Sequence, residues 1–244
     1  MRLSTIRDIL VQSEAQYGAE DAIRYKIGKD MVEAKTYTQL KEDSESFSCV
    51  LQRLGEQGNH IAVTGMTSYA WLVAYFGIVN SGSVAVPLDV SLPAKEMCEL
   101  IDRADATVLV IDEIRADVIA IAKKECPKLN YVISMQKEES DEEILSFSQL
   151  LVKYRGVCSR MPEPDSLATI MFTSGTTGKS KGVMLTHRNL AEDATCLDMK
   201  IPPRTVVLSV LPIHHAYCLS MDILKGLSLG SIICINDSLL RVAK

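Results

Sequence analysis

Apolar and polar positions follow two alternating periods along this chain. From residue 60 onward, short β-branched runs are followed by longer stretches in which apolar residues recur every three or four positions. IAVTG at 61–65 reads as a strand, and the next segment places Trp71, Leu72, Tyr75, Ile78 and Val79 on one helical face. VAVPL at 84–88 is a second strand. Past Pro93 a helix carries Met97, Leu100, Ile101 and Ala104 on one side, and VLVI at 108–111 is the nearly all-apolar run of a strand covered on both faces. This βαβαβ order predicts an α/β fold with mainly parallel sheets flanked by helices. A helix over 115–124, the strand YVISM at 131–135 and a helical segment around Leu150 extend it, while EESDEE at 138–143 reads as a solvated loop.

MPEPD at 161–165 then punctuates the chain, and the strand LATIMF at 167–172 runs into a loop of small residues. VMLT at 183–186, a helix from about Asn189, TVVLSVL at 205–211, a helix around Met221 and SIICI at 231–235 follow. The first 55 residues predict an amphipathic helix through Ile6, Ile9 and Leu10, a strand near Ile23, and a helix through Leu40, Phe47 and Leu54. There is no internal repeat. The last apolar strand, ending at Ile235, is expected to lie on an unfinished sheet.

Composition narrows the class. With 26 basic against 31 acidic residues in 244, the net charge is −5 and no Lys/Arg block gathers, so neither a nucleic-acid backbone nor an anionic membrane surface is a natural partner. A hydrophobic share of 47% is too high for a disordered chain. The cysteines Cys49, Cys98, Cys126, Cys158, Cys196, Cys218 and Cys234 are odd in number, scattered, and form no CxxC pair. A zinc site or disulfide framework is not expected, and a reducing cytoplasm is. Arg7 and Asp8 interrupt the start where a signal peptide needs apolar residues, and the longest apolar run, 70–79, falls well short of a membrane span of about 20 residues.

Residues 173–182 read TSGTTGKSKG, which places three glycines, hydroxyl residues and two lysines directly after an apolar strand. Glycines let backbone N–H groups approach phosphate oxygens, hydroxyls donate further hydrogen bonds, and lysine neutralises charge, so the composition suits a polyphosphate. A flexible polar turn between two strands is the bland alternative. A Walker A loop competes through Gly178, Lys179 and Ser180, but it requires a glycine at the position of Thr173 and a helix starting at the lysine. Here Lys181 and Gly182 lead into a β-type run instead.

The string TSGTTGKSKGVMLTHRNL, 173–190, closely resembles the signature phosphate loop of the adenylate-forming (AMP-binding) superfamily, which includes acyl-CoA synthetases, luciferases and adenylation domains of peptide synthetases. Ser180 stands where that loop usually has proline, with Lys181 at the matching lysine. YFGIVNSGSVAVPLDVSLPAKE at 75–96 resembles the family's helix–strand segment, and LPIHH at 211–215 its motif ending in a substrate-side histidine. The similarity runs from about Tyr37 to Gly230.

That resemblance implies a chemistry. Family members activate a carboxylic acid at the α-phosphate of ATP, release pyrophosphate, and pass the acyl group from AMP to a thiol, commonly that of CoA. By position, Thr173, Ser174, Gly175, Thr176, Thr177, Gly178 and Lys181 are expected to hold the phosphates, with Mg²⁺ as a further screen, and His215 to lie beside the carboxylate. No residue of this chain is assigned to a metal. His60 is expected at the surface and His187 in the turn into its helix. LPIHH paired with VMLTHRNL resembles fatty acyl-CoA synthetases, specifically long-chain fatty acid–CoA ligases, more than amino-acid adenylation domains.

The family's YGxTE motif with its Mg²⁺-binding glutamate, the TGD aspartate and the C-terminal catalytic lysine do not occur in this sequence. The expectation is therefore an incomplete N-terminal adenylation domain over 1–244, inactive by itself. Within it, about 60–210 would form one α/β subdomain, with 1–59 and 211–244 contributing to a second. Uncovered apolar faces would favour a dimer. An adenylation domain for an aryl acid, an amino acid or a carrier-protein acceptor is one alternative, and a non-catalytic binding or regulatory module is another.

Overall fold

A computed structural model describes residues 3–27, 31–158, 160–173, 180–197 and 199–236. The N-terminal part contains α1 (Ile6–Tyr17), β1 (Asp21–Lys26), β2 (Val32–Thr36) and α2 (Tyr37–Arg53). Then come β3 (His60–Thr64), α3 (Tyr69–Asn80), β4 (Val84–Leu88), α4 (Ala94–Arg103), β5 (Ala106–Ile111), α5 (Ala116–Glu125) and β6 (Tyr131–Ser134). The short β7 (Leu145–Ser146) and α6 (Phe147–Lys153) precede β8 (Leu167–Thr173), β9 (Lys181–Thr186) and α7 (His187–Thr195). Last are β10 (Val206–Ser209), α8 (Lys225–Ser228) and β11 (Ile232–Ile235).

Hydroxyl residues start the helices for a local reason. Thr5, Thr36 and Thr186 each accept the N–H three residues on, and Asp8, Gln39 and Asn189 return a side-chain oxygen to the cap N–H. Each such box satisfies two backbone donors that the first turn leaves unpaired.

The strands form two sheets. One has seven strands in the order β7-β6-β5-β3-β4-β8-β9, parallel except for the antiparallel β8–β9 edge; the other has four, in the order β10-β11-β1-β2. The expected α/β class with mainly parallel sheets is therefore present, with β1–β2 the other antiparallel pair. β10 hydrogen-bonds in the four-stranded sheet, so sheet membership has already changed by residue 206, ahead of the boundary expected near 210.

Three expectations need correction. The helix α3 is buried from Trp71 through Asn80 rather than along one face, because it packs against α1 and α2 as well as β3 and β4. Gly77 permits the closest crossing: a Cβ there would lie 2.7 Å from Phe47 Cβ and 2.9 Å from the Ser44 carbonyl oxygen. SIICI, expected to await neighbours on an unfinished sheet, is already paired on both sides, with β10 and with β1. The helix expected around Met221 is a π-helical stretch, Cys218–Leu224, that continues into α8.

One apolar cluster centred on Trp71, Tyr75 and Phe47 joins α1, α2 and α3 to both sheets, while a second lies under α4 and α5. Trp71 stacks on Tyr75, whose hydroxyl lies 2.9 Å from Thr169 Oγ1 on β8. Each fully buried large side chain here contributes about 1.5–3 kcal/mol relative to an exposed one. Ile213, next to the two adjacent histidines, belongs to this first cluster.

Candidate functional site

In open parallel sheets, ligands gather beyond the carboxyl ends of the strands, where loops leave without closing the crevice. Here Gly65 follows β3, Asp89 follows β4, Asp112 follows β5, and Thr173 ends β8. The Gly65 backbone has φ +154°, and a Cβ there would lie 2.9 Å from Asp112 Cβ, so only glycine lets the chain turn so close to β5. Asp112 Oδ2 then accepts the Met66 N–H at 3.2 Å.

A cleft of about 230 Å³ at this end is walled by Asp89, Glu96, Phe172, Thr173, Ser180, His214 and His215, among others. A neighbouring cleft of about 270 Å³, bounded by Gly65, Met66 and Thr67 and by Leu211, Pro212 and Ile213, shares Asp89 and both histidines with it. The histidine pair thus stands between the two spaces. Its rings are 4.3 Å apart and tilted by 49°. His215 is exposed and its backbone N–H donates to the Pro212 carbonyl at 3.1 Å; His214 is largely buried, and its Nε2, 3.7 Å from Asp89 Oδ2, has no hydrogen-bond partner among the described residues.

Asp89 is held firmly. Ser91 donates to Oδ1 from its N–H at 2.8 Å and its Oγ at 2.7 Å, and Arg115 Nη1 donates to the carbonyl of Val90 in the same turn. Burial works against ionisation of Asp89, but the Ser91 bonds and the two histidines together hold its carboxyl below the usual carboxylate range. Burial also pushes the His214 imidazolium down, with Asp89 pulling the other way and His215 adding to the fall.

Of the phosphate-loop residues expected from sequence, Thr173 and Lys181 are cross-strand partners in the β8–β9 pair, and Thr173 Oγ1 lies 3.5 Å from the Lys181 carbonyl oxygen. Opposed residues on adjacent strands share a sheet face. Both are exposed. Ser174, Gly175, Thr176, Thr177 and Gly178 lie outside the described residues. The geometry therefore brings Thr173 and His215 to one cleft, while Lys181 is shown only as the partner opposite Thr173 in the hairpin.

The other histidines have structural places. His60 is half-buried rather than a free surface residue: its Nδ1 lies 2.6 Å from the Ala104 carbonyl oxygen, which can only accept, so that nitrogen carries the hydrogen. At the start of α7, Thr186 and Asn189 make the cap while His187 is fully buried with neither ring nitrogen hydrogen-bonded. Cys98, Cys126, Cys158 and Cys218 are buried, and all seven cysteines are free.

Among the described residues no three His, Cys, Asp or Glu side chains converge as metal ligands. No described helix is long and apolar enough to cross a membrane. Asp89 was not foreseen from sequence as a site residue. Its signal was an acidic side chain at the carboxyl end of an otherwise apolar parallel strand.

Comparison with known proteins bears on the family and the fold. The sequence model of the family described as AMP-binding enzyme matches residues 11–243. A long-chain-fatty-acid–CoA ligase of Escherichia coli is 27% identical, the match covering 94% of this chain and 46% of that protein. In structure, the anthranilate CoA ligase AuaEII in complex with anthranoyl-AMP superposes with a TM-score of 0.88 at 18% identity, over 100% of this chain and 47% of the other. ATP-bound MatB from Rhodopseudomonas palustris gives 0.80 at 25% identity, over 96% and 46%. The chain spans about half the length of the curated relatives it matches first.

Proposed function

The chain belongs to the AMP-binding enzyme family, and from that footing we propose that its protein is an ATP-dependent acyl-CoA synthetase acting on a fatty acid. The observation that carries this is the shared cleft, in which Thr173 and Ser180, the residues flanking 174–179, face the wall formed by His214 and His215. In the proposed reaction a carboxylate oxygen attacks the α-phosphorus of ATP, the bond to the bridging β-oxygen breaks, and pyrophosphate leaves. The thiol sulfur of CoA then attacks the acyl carbon of the acyl adenylate and AMP departs.

The physical obstacle is repulsion between an anionic carboxylate and an anionic triphosphate. Thr173, Ser174, Gly175, Thr176, Thr177 and Gly178 would donate to the β- and γ-phosphates, and Lys181 would offset the charge that grows on the leaving pyrophosphate. His215 would hold the carboxylate in line with the α-phosphorus, which converts an encounter between like charges into a positioned attack. Mg²⁺, when bound with ATP, would supply further charge screening.

The test is exchange of labelled pyrophosphate into ATP by the whole protein, with a panel of fatty, aryl and amino acids, followed by release of AMP on addition of CoA. Exchange that depends on a fatty acid, with CoA-dependent turnover, is the expected result. Exchange supported only by aryl or amino acids would move the substrate class, and exchange with none would leave a binding role in place of catalysis.

A further inference from the structure

Arg103 ends α4, and its side chain reaches the hairpin on which the phosphate loop is built. Nη2 donates to the Ser180 carbonyl oxygen at 2.9 Å, and the guanidinium carbon lies 5.7 Å from the centre of the Phe172 ring. Phe172 immediately precedes Thr173 and Ser180 immediately precedes Lys181. One side chain therefore touches both stems of the segment 174–179.

The stems are already paired as strands, Phe172 opposite Gly182 and Thr173 opposite Lys181. At Gly182 the tight neighbour is Ile170, whose Cγ2 would lie 3.0 Å from a Cβ there, while the Phe172 ring at 3.5 Å would be in ordinary contact. A guanidinium suits the remaining position because its planar fork can donate in its plane while a face rests on an aromatic ring. An ammonium group has no such plane. Arg103 also stands on the wall of an open cleft of about 730 Å³ beside the loop, with Lys95, Glu96, Glu99 and Ser180.

We propose that Arg103 is a positioning residue for the nucleotide's phosphates, fixing the two loop stems at the separation in which they meet a triphosphate. This rests on the assignment of 173–181 to phosphate binding. A triphosphate is held by several donors at once, so a small spread of the stems loosens all of them together.

The experiment is calorimetric titration of inorganic tripolyphosphate into the 244-residue chain and its Arg103→Gln and Arg103→Lys variants, with the backbone amide resonances of Thr173 and Lys181 followed in parallel. Arg103→Gln is expected to weaken binding roughly fivefold, in keeping with one charge-assisted hydrogen bond and one exposed cation–π contact. Both amides should shift, with the thermal midpoint unchanged. Arg103→Lys should recover less than half of the loss. Undiminished affinity in Arg103→Gln would overturn the proposal, and so would full recovery in Arg103→Lys, because charge alone would then suffice. If the unaltered chain fails to bind tripolyphosphate, the phosphate-loop assignment itself falls, an outcome distinct from wild-type binding that survives the loss of Arg103.

Discussion

The fully buried His187 gives this fold a measurable weakness below neutral pH. Burial pushes its imidazole down to about 4 from an ordinary 6.5, against a smaller upward pull from Asp8 on α1. Among the described residues neither ring nitrogen has a hydrogen-bond partner, so none of them solvates a proton there by hydrogen bonding. The unfolded chain accepts that proton near pH 6.5 and the folded chain only near pH 4. Stability contributed by the neutral ring is thus complete above about pH 6.5 and is lost as pH falls towards 4, below which both states are protonated.

At about 1.4 kcal/mol per pH unit, the whole interval is worth about 3 kcal/mol, of which roughly 2 kcal/mol is gone at pH 5. His187→Leu removes the titrating group and the two unpaired polar atoms while keeping an apolar side chain of similar size. Urea unfolding at pH 7 and pH 5 makes the comparison above the range where carboxylates titrate. Between the two pH values the unaltered chain should lose about 2 kcal/mol more than the leucine variant, which keeps the contribution of His214, and at pH 7 the variant should be more stable by roughly 1 kcal/mol. Equal losses in both proteins would show that His187 is not the group whose burial costs stability at low pH.

Other consequences follow from the packing and the site. Gly77→Ala drives a methyl group into Phe47 and the Ser44 carbonyl, and should lower the unfolding free energy by about 1–3 kcal/mol, read from urea midpoints; a neutral result would contradict the close crossing of α2 and α3. Asp89→Asn keeps an oxygen for the Ser91 donors but removes the anion beside His214, so the midpoint of His214 protonation should fall, as followed by the ring Cε1–H resonance. An unchanged midpoint would mean that the carboxylate does not act on the ring. Lys181→Ala in the whole protein should slow pyrophosphate exchange by roughly 10²-fold if the lysine stabilises the leaving group, and an unchanged rate would remove it from the mechanism.

Much of the seven-stranded sheet was legible because its strands and helices announce themselves by period. VAVPL, VLVI and YVISM are strands within a residue or two of their expected limits, and α4 buries Met97, Leu100 and Ile101 as their spacing requires. The four-stranded sheet was harder to read. β2 is an edge strand with the sequence VEAKT, whose mixed polarity and part-exposed positions leave no clean alternation. Pairing of β1 with β11 joins residues about 210 positions apart, which no local pattern encodes. Nor is a π-helical stretch of 7 residues long enough for its wider period to show in the sequence.

The site divides in the same way. Thr173, Lys181 and His215 stood out through motifs that are contiguous in the chain. Asp89 and Arg103 did not, since each acts across the fold: Asp89 on His214 from the end of β4, and Arg103 on Ser180 from the end of α4.

The most direct measurement is a crystal structure of the protein with ATP bound. The β- and γ-phosphate oxygens should lie within hydrogen-bond distance of Thr173 Oγ1 and Lys181 Nζ, with the α-phosphate turned toward His215. A triphosphate ordered elsewhere on the molecule, with Thr173 and Lys181 untouched, would contradict it.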